Sequence, residues 1–269
     1  MQRLFSSWNL PVATRRAGLA LAAGALAMGF GGCKNTVEAL PDAGLGYYPV
    51  AVGNYWIYAV SDTTWSRANG QGSQVTPSVP TVSAFQFKET IASAFADAAG
   101  KTSYRLVRSK RLTAAAAWVD DSVFTLSPSA QSVILNRDNR RTLELIFPVR
   151  EGRLWNFNAY NNNSADTVTA ETRRYRRVGE PFSTAANGTS KTYPATATTT
   201  NEGLAQADDA YYVNTYQQVF AKGVGPVFRR KRRFSNFYYV GSGGNVVFVP
   251  KSYTFGYSRR ETLIEYKVN

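Results

Sequence analysis

Phe85-Gln86-Phe87-Lys88-Glu89-Thr90-Ile91 sets the apolar residues Phe85, Phe87 and Ile91 at odd positions among polar neighbours. Side chains of a strand alternate between two faces, so this period of two predicts a β-strand with one buried face. Similar short runs lie on both sides of it. Towards the C-terminus they occupy residues 103–108, 118–119, 122–126, 132–135 and 142–147, then 167–178, 211–221, 224–239, 246–257 and 262–268. Towards the N-terminus, Gly53-Asn54 marks a turn, after which Tyr55, Ile57 and Ala59 alternate along another strand. Short runs separated by turn residues predict antiparallel pairing rather than βαβ units. The expected fold is all-β: a single antiparallel β domain over residues 47–269, built as a strongly curved sheet or an incomplete barrel. Long loops are expected near residues 66–83 and 183–209, a shorter polar loop at 158–166, and short helices only in the Ala-rich stretches 92–99 and 113–117.

The chain has no histidine and one cysteine, Cys33. Without histidine, Ser-His-Asp and Cys-His catalysis, histidine-ligated zinc and histidine proton shuttles are excluded. Asn158 to Asn163 with Asp166 carry no EF-hand spacing, and the sequence implies neither metal nor cofactor. The 31 basic residues outnumber 18 acidic ones, and a charge of that sign favours anionic partners.

Residues 1–16 hold three arginines and no acid; residues 17–30 are an uninterrupted apolar run of 14, followed by Gly31, Gly32 and Cys33. A basic start, a short apolar stretch and a small-residue exit are the parts of a secretory signal. A membrane-spanning helix needs ~20 apolar residues, so this run is short for one. Phe30-Gly31-Gly32-Cys33 resembles the lipobox of bacterial lipoproteins, with Phe30 where leucine is usual. The resemblance implies a signal peptide over residues 1–32, in a helix, removed before Cys33. Lipid on Cys33 then anchors the chain to a membrane by acyl chains of the palmitate kind, with residues 33–46 as a flexible tether. The rest of the chain then carries 28 basic against 18 acidic residues, and no free thiol. A lipid-anchored, exported chain is not expected to meet nucleic acid.

Tyr48-Pro49-Val50-Ala51-Val52-Gly53-Asn54-Tyr55-Trp56-Ile57-Tyr58 resembles the opening of small uncharacterised lipoproteins of the Bacteroidota. Leu145-Ile146-Phe147-Pro148-Val149-Arg150-Glu151-Gly152 with Trp155-Asn156 is similar to their middle block, and Ala221-Lys222-Gly223-Val224-Gly225-Pro226-Val227 to their late block. The resemblance implies an outer-membrane lipoprotein, facing either the periplasm or the surface, and no particular reaction. It also implies candidate O-glycosylation at Thr63, Ser122 and Thr167, each of which follows an aspartate and precedes Thr64, Val123 or Val168.

Two basic clusters stand out: Arg173, Arg174, Arg176 and Arg177 around Tyr175, and Arg229, Arg230, Lys231, Arg232 and Arg233. On strands they project from both faces, which a buried central strand does not tolerate cheaply, so both are expected at a sheet edge, on a hairpin or along a wet groove. They are candidates for binding an anionic glycan or lipid through bidentate guanidinium donors, and equally for simple edge protection. Neighbouring acids Asp120-Asp121 and Asp208-Asp209 point to opposite faces of a strand and cannot flank one bond. Trp56, Trp118 and Trp155 are expected in the core, with Trp65 and Trp155 the candidates for stacking on sugar. The leading expectation is a non-catalytic envelope lipoprotein that binds or scaffolds an anionic glycan or lipid. A lipid carrier with an apolar half-barrel cavity and a carboxylate-only hydrolase are the alternatives. Replacing Cys33 by alanine is expected to move the protein from the membrane to the soluble fraction, measured by fractionation and immunoblotting; an unprocessed variant still held in the membrane contradicts the anchor.

Overall fold

The computed structural model describes residues 42–72, 74–161, 171–202 and 207–269; Cys33 and Thr167 lie outside them. A 3-10 turn, Leu45–Tyr47, precedes fifteen strands. These are β1 (Tyr55–Trp65), β2 (Asn69–Gln71), β3 (Gln74–Thr76), β4 (Pro80–Ala96), β5 (Thr102–Arg111), β6 (Val119–Pro128), β7 (Ser132–Arg137) and β8 (Arg140–Ile146). They continue as β9 (Leu154–Asn156), β10 (Thr172–Ala186), β11 (Thr189–Glu202), β12 (Ala207–Asp208), β13 (Tyr212–Ala221), β14 (Gly225–Val240) and β15 (Val246–Lys267). Twelve of them form one antiparallel sheet in the order β8-β7-β6-β5-β4-β1-β15-β14-β13-β11-β10-β9, with β12 beside β13 and β2–β3 a separate hairpin. The sheet curls until it nearly closes into a barrel, as the incomplete-barrel reading expected.

The inward side of β4 carries Phe85, Phe87 and Ile91, all buried. They join Trp56, Tyr58, Leu106, Leu126, Leu145 and Phe220, each at most 1% exposed, in one aromatic-rich core. The segment ahead of β1 lies against the barrel: Gly223 N donates to Gly46 O at 2.8 Å, Val149 N to Ala43 O at 3.0 Å, and Tyr47 and Tyr48 are buried. Residues 42–46, expected within the tether, are therefore part of the ordered domain. Trp56 donates its indole N–H to Val224 O at 2.6 Å, close against Gly225. A Cβ on Gly225 would sit 3.0 Å from that indole nitrogen, and its φ of 102° is one that glycine adopts freely.

Where β8 returns towards β9 and β10, a seam forms largely from side chains. Trp155 Nε1 donates to Leu143 O at 2.9 Å, and Leu143 N donates to Phe157 O at 2.9 Å. The Tyr175 hydroxyl accepts from Ile146 N at 2.9 Å and donates to Ile146 O at 2.8 Å, substituting for a ladder rung. Asn161 does the same for Arg141, accepting from its N–H at 3.0 Å and donating to its carbonyl at 2.9 Å.

Several expectations need correction. Residues 183–209 are mostly strand: β10 and β11 meet at Asn187-Gly188, with φ values of 51° and 77°, an Asn-Gly hairpin turn of the primed kind. The Thr-rich run that follows is β11, because a β-branched side chain suits a pleated surface. Residues 66–83 hold β2, β3 and the start of β4. Neither Ala-rich stretch is helical: 92–96 continues β4 beyond a bulge, and 113–116 is bend and turn. Trp118 is only half-buried, with the Arg111 guanidinium 4.2 Å above its ring, so it is no core residue. Thr63, expected in or near a loop, lies in β1, whereas Ser122 lies in β6, within the run expected to be strand.

Tyr175→Phe is expected to leave the Ile146 N–H and carbonyl at the seam without partners and to lower stability by about 1–3 kcal/mol. Urea denaturation followed by tryptophan fluorescence checks it; an unchanged midpoint would show that the seam does not hold the barrel.

Candidate anion-binding site

Glu89 shares the inward face of β4 with Phe87 and Ile91 and is 1% exposed. A carboxylate in that position requires partners, and two guanidiniums supply them. Arg108 of β5, directly opposite, donates Nη2 to Glu89 Oε1 at 2.5 Å and Nε to the same oxygen at 3.2 Å. Arg229 of β14 donates Nη1 to Glu89 Oε1 at 3.0 Å and Nη2 to Oε2 at 2.9 Å, and reaches Glu261 Oε2 of β15 at 2.9 Å. Burial alone would raise the Glu89 carboxyl, but Arg229 and Arg108 hold it far below the usual carboxylate range. Arg229 is buried as well; burial opposes its charge, and Glu89 outweighs that penalty and raises its pKa. Further along the same face of β15, Arg259 clasps Asp62 of β1 bidentately at 2.6 and 2.5 Å.

Of the three placements expected for the second basic cluster, a sheet edge, a hairpin or a wet groove, the edge is excluded. β14 lies inside the sheet between β13 and β15, and tolerates Arg229 because the barrel interior there is polar and compensated. β10 is closer to the expectation: beyond Arg174 only β11 pairs with it.

Alternation divides each cluster between two faces. Arg173 points inward with Tyr175, while Arg174 and Arg176 turn outward to Glu202, and Arg177 pairs with Glu180 at 2.8 Å. Arg229, Lys231 and Arg233 share the inward face of β14; Arg230 and Arg232 share the outer one. The inward members of the two clusters approach each other across β11 and β13. The Arg173 guanidinium is 3.8 Å from the Tyr216 ring and 4.2 Å from Phe157, and Tyr216 lies directly opposite Lys231. Arg173 bonds Glu171, yet its Nε and Nη1 are buried with no hydrogen-bond acceptor, as are Gln218 Nε2 and Arg137 Nε. Lys231 itself is exposed; partial desolvation by the surrounding strands, followed by the repulsion of Arg233, Arg173 and Arg140, moves its ammonium below the ordinary pKa. One part of the interior is therefore a network in which charges pair evenly; around Arg173, buried donors lack acceptors, although the Glu144 carboxylate, bonded by Thr142 Oγ1, lies near Tyr216. The latter arrangement can hold an oxyanion.

Among the described residues no group of three or more potential metal ligands occurs. Glu89 is committed to two arginines and held ionised, so it has no proton to give as an acid. Trp65 packs on Phe234 and Tyr253, at 4.8 and 6.0 Å between ring centroids, and Trp155 on Tyr175 at 4.6 Å.

Glu89→Gln leaves Arg108 and Arg229 with Glu261 as their shared carboxylate, and is expected to cost about 3–5 kcal/mol. Because the folded Glu89 pKa is depressed, its contribution is complete above the unfolded value near ~4.3 and fades as pH falls below it. The wild type should therefore lose stability on acidification more steeply below about pH 4 than the variant does. Urea midpoints from pH 7 to 3 measure this; parallel curves would contradict it. Comparison of the chain with protein-family models, curated proteins and solved structures finds no match.

Proposed function

We propose that this chain is a lipid-anchored, non-catalytic protein of the outer membrane whose β domain binds an oxyanion where its two basic clusters face each other. The oxyanion is a phosphate or sulfate group carried by an anionic glycan or an anionic lipid. The observation that carries the reading is Arg173: a buried guanidinium with two N–H-bearing nitrogens lacking acceptors, across Tyr216 from Lys231. A buried donor left unmatched costs about 1–3 kcal/mol, and an anion would recover that and offset the repulsion among Lys231, Arg233 and Arg140. The lipid anchor rests on the Gly31-Gly32-Cys33 exit behind an apolar run, and the lack of catalysis on the absence of histidine and of a free thiol. The carrier alternative needs open apolar volume, whereas Trp56, Tyr58, Leu145 and Phe220 occupy the apolar interior.

Titration with inorganic phosphate and sulfate, at ionic strength fixed with chloride, should raise the melting temperature. Vesicles with and without phosphatidylglycerol then separate a lipid source from a free one. Lys231→Gln is expected to weaken oxyanion binding about tenfold, the loss of one charge-assisted hydrogen bond. Stabilisation that chloride reproduces, or binding unchanged in that variant, contradicts the proposal.

A further inference from the structure

The outward members of the basic cluster on β14 belong to a different place. At Arg177, with φ 54°, and Gly179, with φ 83°, β10 leaves its regular register with β11, and the remainder of the β10–β11 hairpin packs against β15. Phe182 on the hairpin meets Phe228 on the outer face of β14, with ring centroids 5.5 Å apart. Beside that aromatic contact runs a cleft of about 460 Å³, walled by Ser61, Thr63, Thr184, Gln217, Arg230 and Arg260 among others. It adjoins a second hollow of about 340 Å³ that shares Ser61 and Arg260, so the depression is elongated along the hairpin.

Two features of this cleft are unfavourable in the protein alone. Arg230 and Arg260 stand directly opposite each other across β14 and β15, a like-charge pair that destabilises a sheet. Neither has a carboxylate partner among the described residues; Arg260 makes only long bonds, 3.3 Å each, to Thr262 Oγ1 and Ala185 O. On the facing hairpin Thr184 is 7% exposed, and its hydroxyl oxygen has no hydrogen-bond partner. Two adjacent guanidiniums suit one carboxylate, which accepts bidentately. The hydroxyls of Ser61, Thr63, Thr184 and Ser258 with the Gln217 amide suit a polyol, and an elongated cleft suits a chain of them.

We propose that the cleft between the β10–β11 hairpin and the outer face of β14, β15 and β1 binds an acidic oligosaccharide, with Arg230 and Arg260 holding a uronate carboxylate and the partly exposed hydroxyls of Ser61, Thr63 and Ser258 the ring hydroxyls. This site lies on the opposite face of β14 from Lys231 and does not depend on the interior site.

Calorimetric titration of the purified full chain with tetragalacturonate, and with neutral maltotetraose as control, tests it. The acidic sugar should bind and the neutral one should not. Arg230→Gln and Arg260→Gln should each weaken binding at least tenfold, while Lys231→Gln, on the inner face, leaves it within twofold. Without ligand, both outer variants should melt at or above the wild-type temperature, because each relieves a like-charge pair. Failure of tetragalacturonate to bind, binding retained in the Arg230→Gln/Arg260→Gln double variant, or a lower melting temperature in either single variant would overturn the proposal. If Lys231→Gln abolishes tetragalacturonate binding, the sugar occupies the interior instead and the cleft assignment fails alone.

Discussion

Everything in this barrel is arranged around one buried carboxylate held by two guanidiniums. Glu89 and Arg108 are neighbours on paired strands, but Glu89 and Arg229 are 140 residues apart and their strands are separated in the sheet by β1 and β15. Their side chains meet only because the sheet curls enough to bring β4 and β14 towards each other on its concave side. Ion pairs of this kind are poor sources of net stability, since desolvation consumes much of the attraction. Breaking one is expensive all the same. A register shift of one residue in β4 or β14 would turn its charge to the other face and strand its partner in the interior. The network thus selects one curvature and one register, while the surrounding Phe87, Phe124 and Tyr58 rings, 4.7 to 5.1 Å from the two guanidiniums, supply the apolar burial.

Against that constraint, what could be read from the residues divides cleanly. The alternation of Phe85, Phe87 and Ile91 gives β4, and the succession of short runs gives an antiparallel, strongly curved sheet. Glu89 stands at an inward position of the same alternation, which is itself a sign of a buried partner, but no local rule names Arg229 as that partner. For the basic run on β14 the residues allow an edge, a hairpin or a wet groove; a barrel with a polar, compensated interior lets a central strand carry inward charge and excludes the edge. The Asn187-Gly188 hairpin was written in the sequence and obscured by the Ala, Thr and Asn around it. Thr189–Glu202 pairs with β10 along its length and also with β13 from Thr196 to Thr200, and its threonines are strand formers rather than loop residues. Asp62 with Arg259, and Arg230 opposite Arg260, are products of register alone. Register becomes legible only once the strand order is known.

The two basic clusters show how much a period of two can separate. Residues adjacent in sequence, Arg229 and Arg230, have opposite fates: one is sealed between Glu89 and Glu261, the other faces outward without a carboxylate. Treating each cluster as one patch therefore mixes at least three roles. Arg229 is structural, Arg174 and Arg176 are satisfied by Glu202, and Arg173, Lys231, Arg230 and Arg260 are left with incomplete partners.

That last group is where the excess of basic residues over acidic ones becomes chemistry rather than composition. Of the acids inside the barrel, Glu89 and Glu261 are spent on Arg229, Asp62 on Arg259 and Glu171 on Arg173, while Glu144 accepts from the Thr142 hydroxyl. A fold that needed arginine only for stability would complete its pairs, because an unmatched guanidinium beside another cation raises the energy of the folded state in two ways, by repulsion and by lost hydration. Arg230 and Arg260, exposed and opposite each other on one side of the sheet, bear the repulsion, and the buried Arg173 on the other side bears the lost hydration. The two sets share no residue and face away from each other through β14. An anion at each would relieve the penalty found there, and it would do so with the guanidiniums already positioned by a sheet whose register is fixed from within.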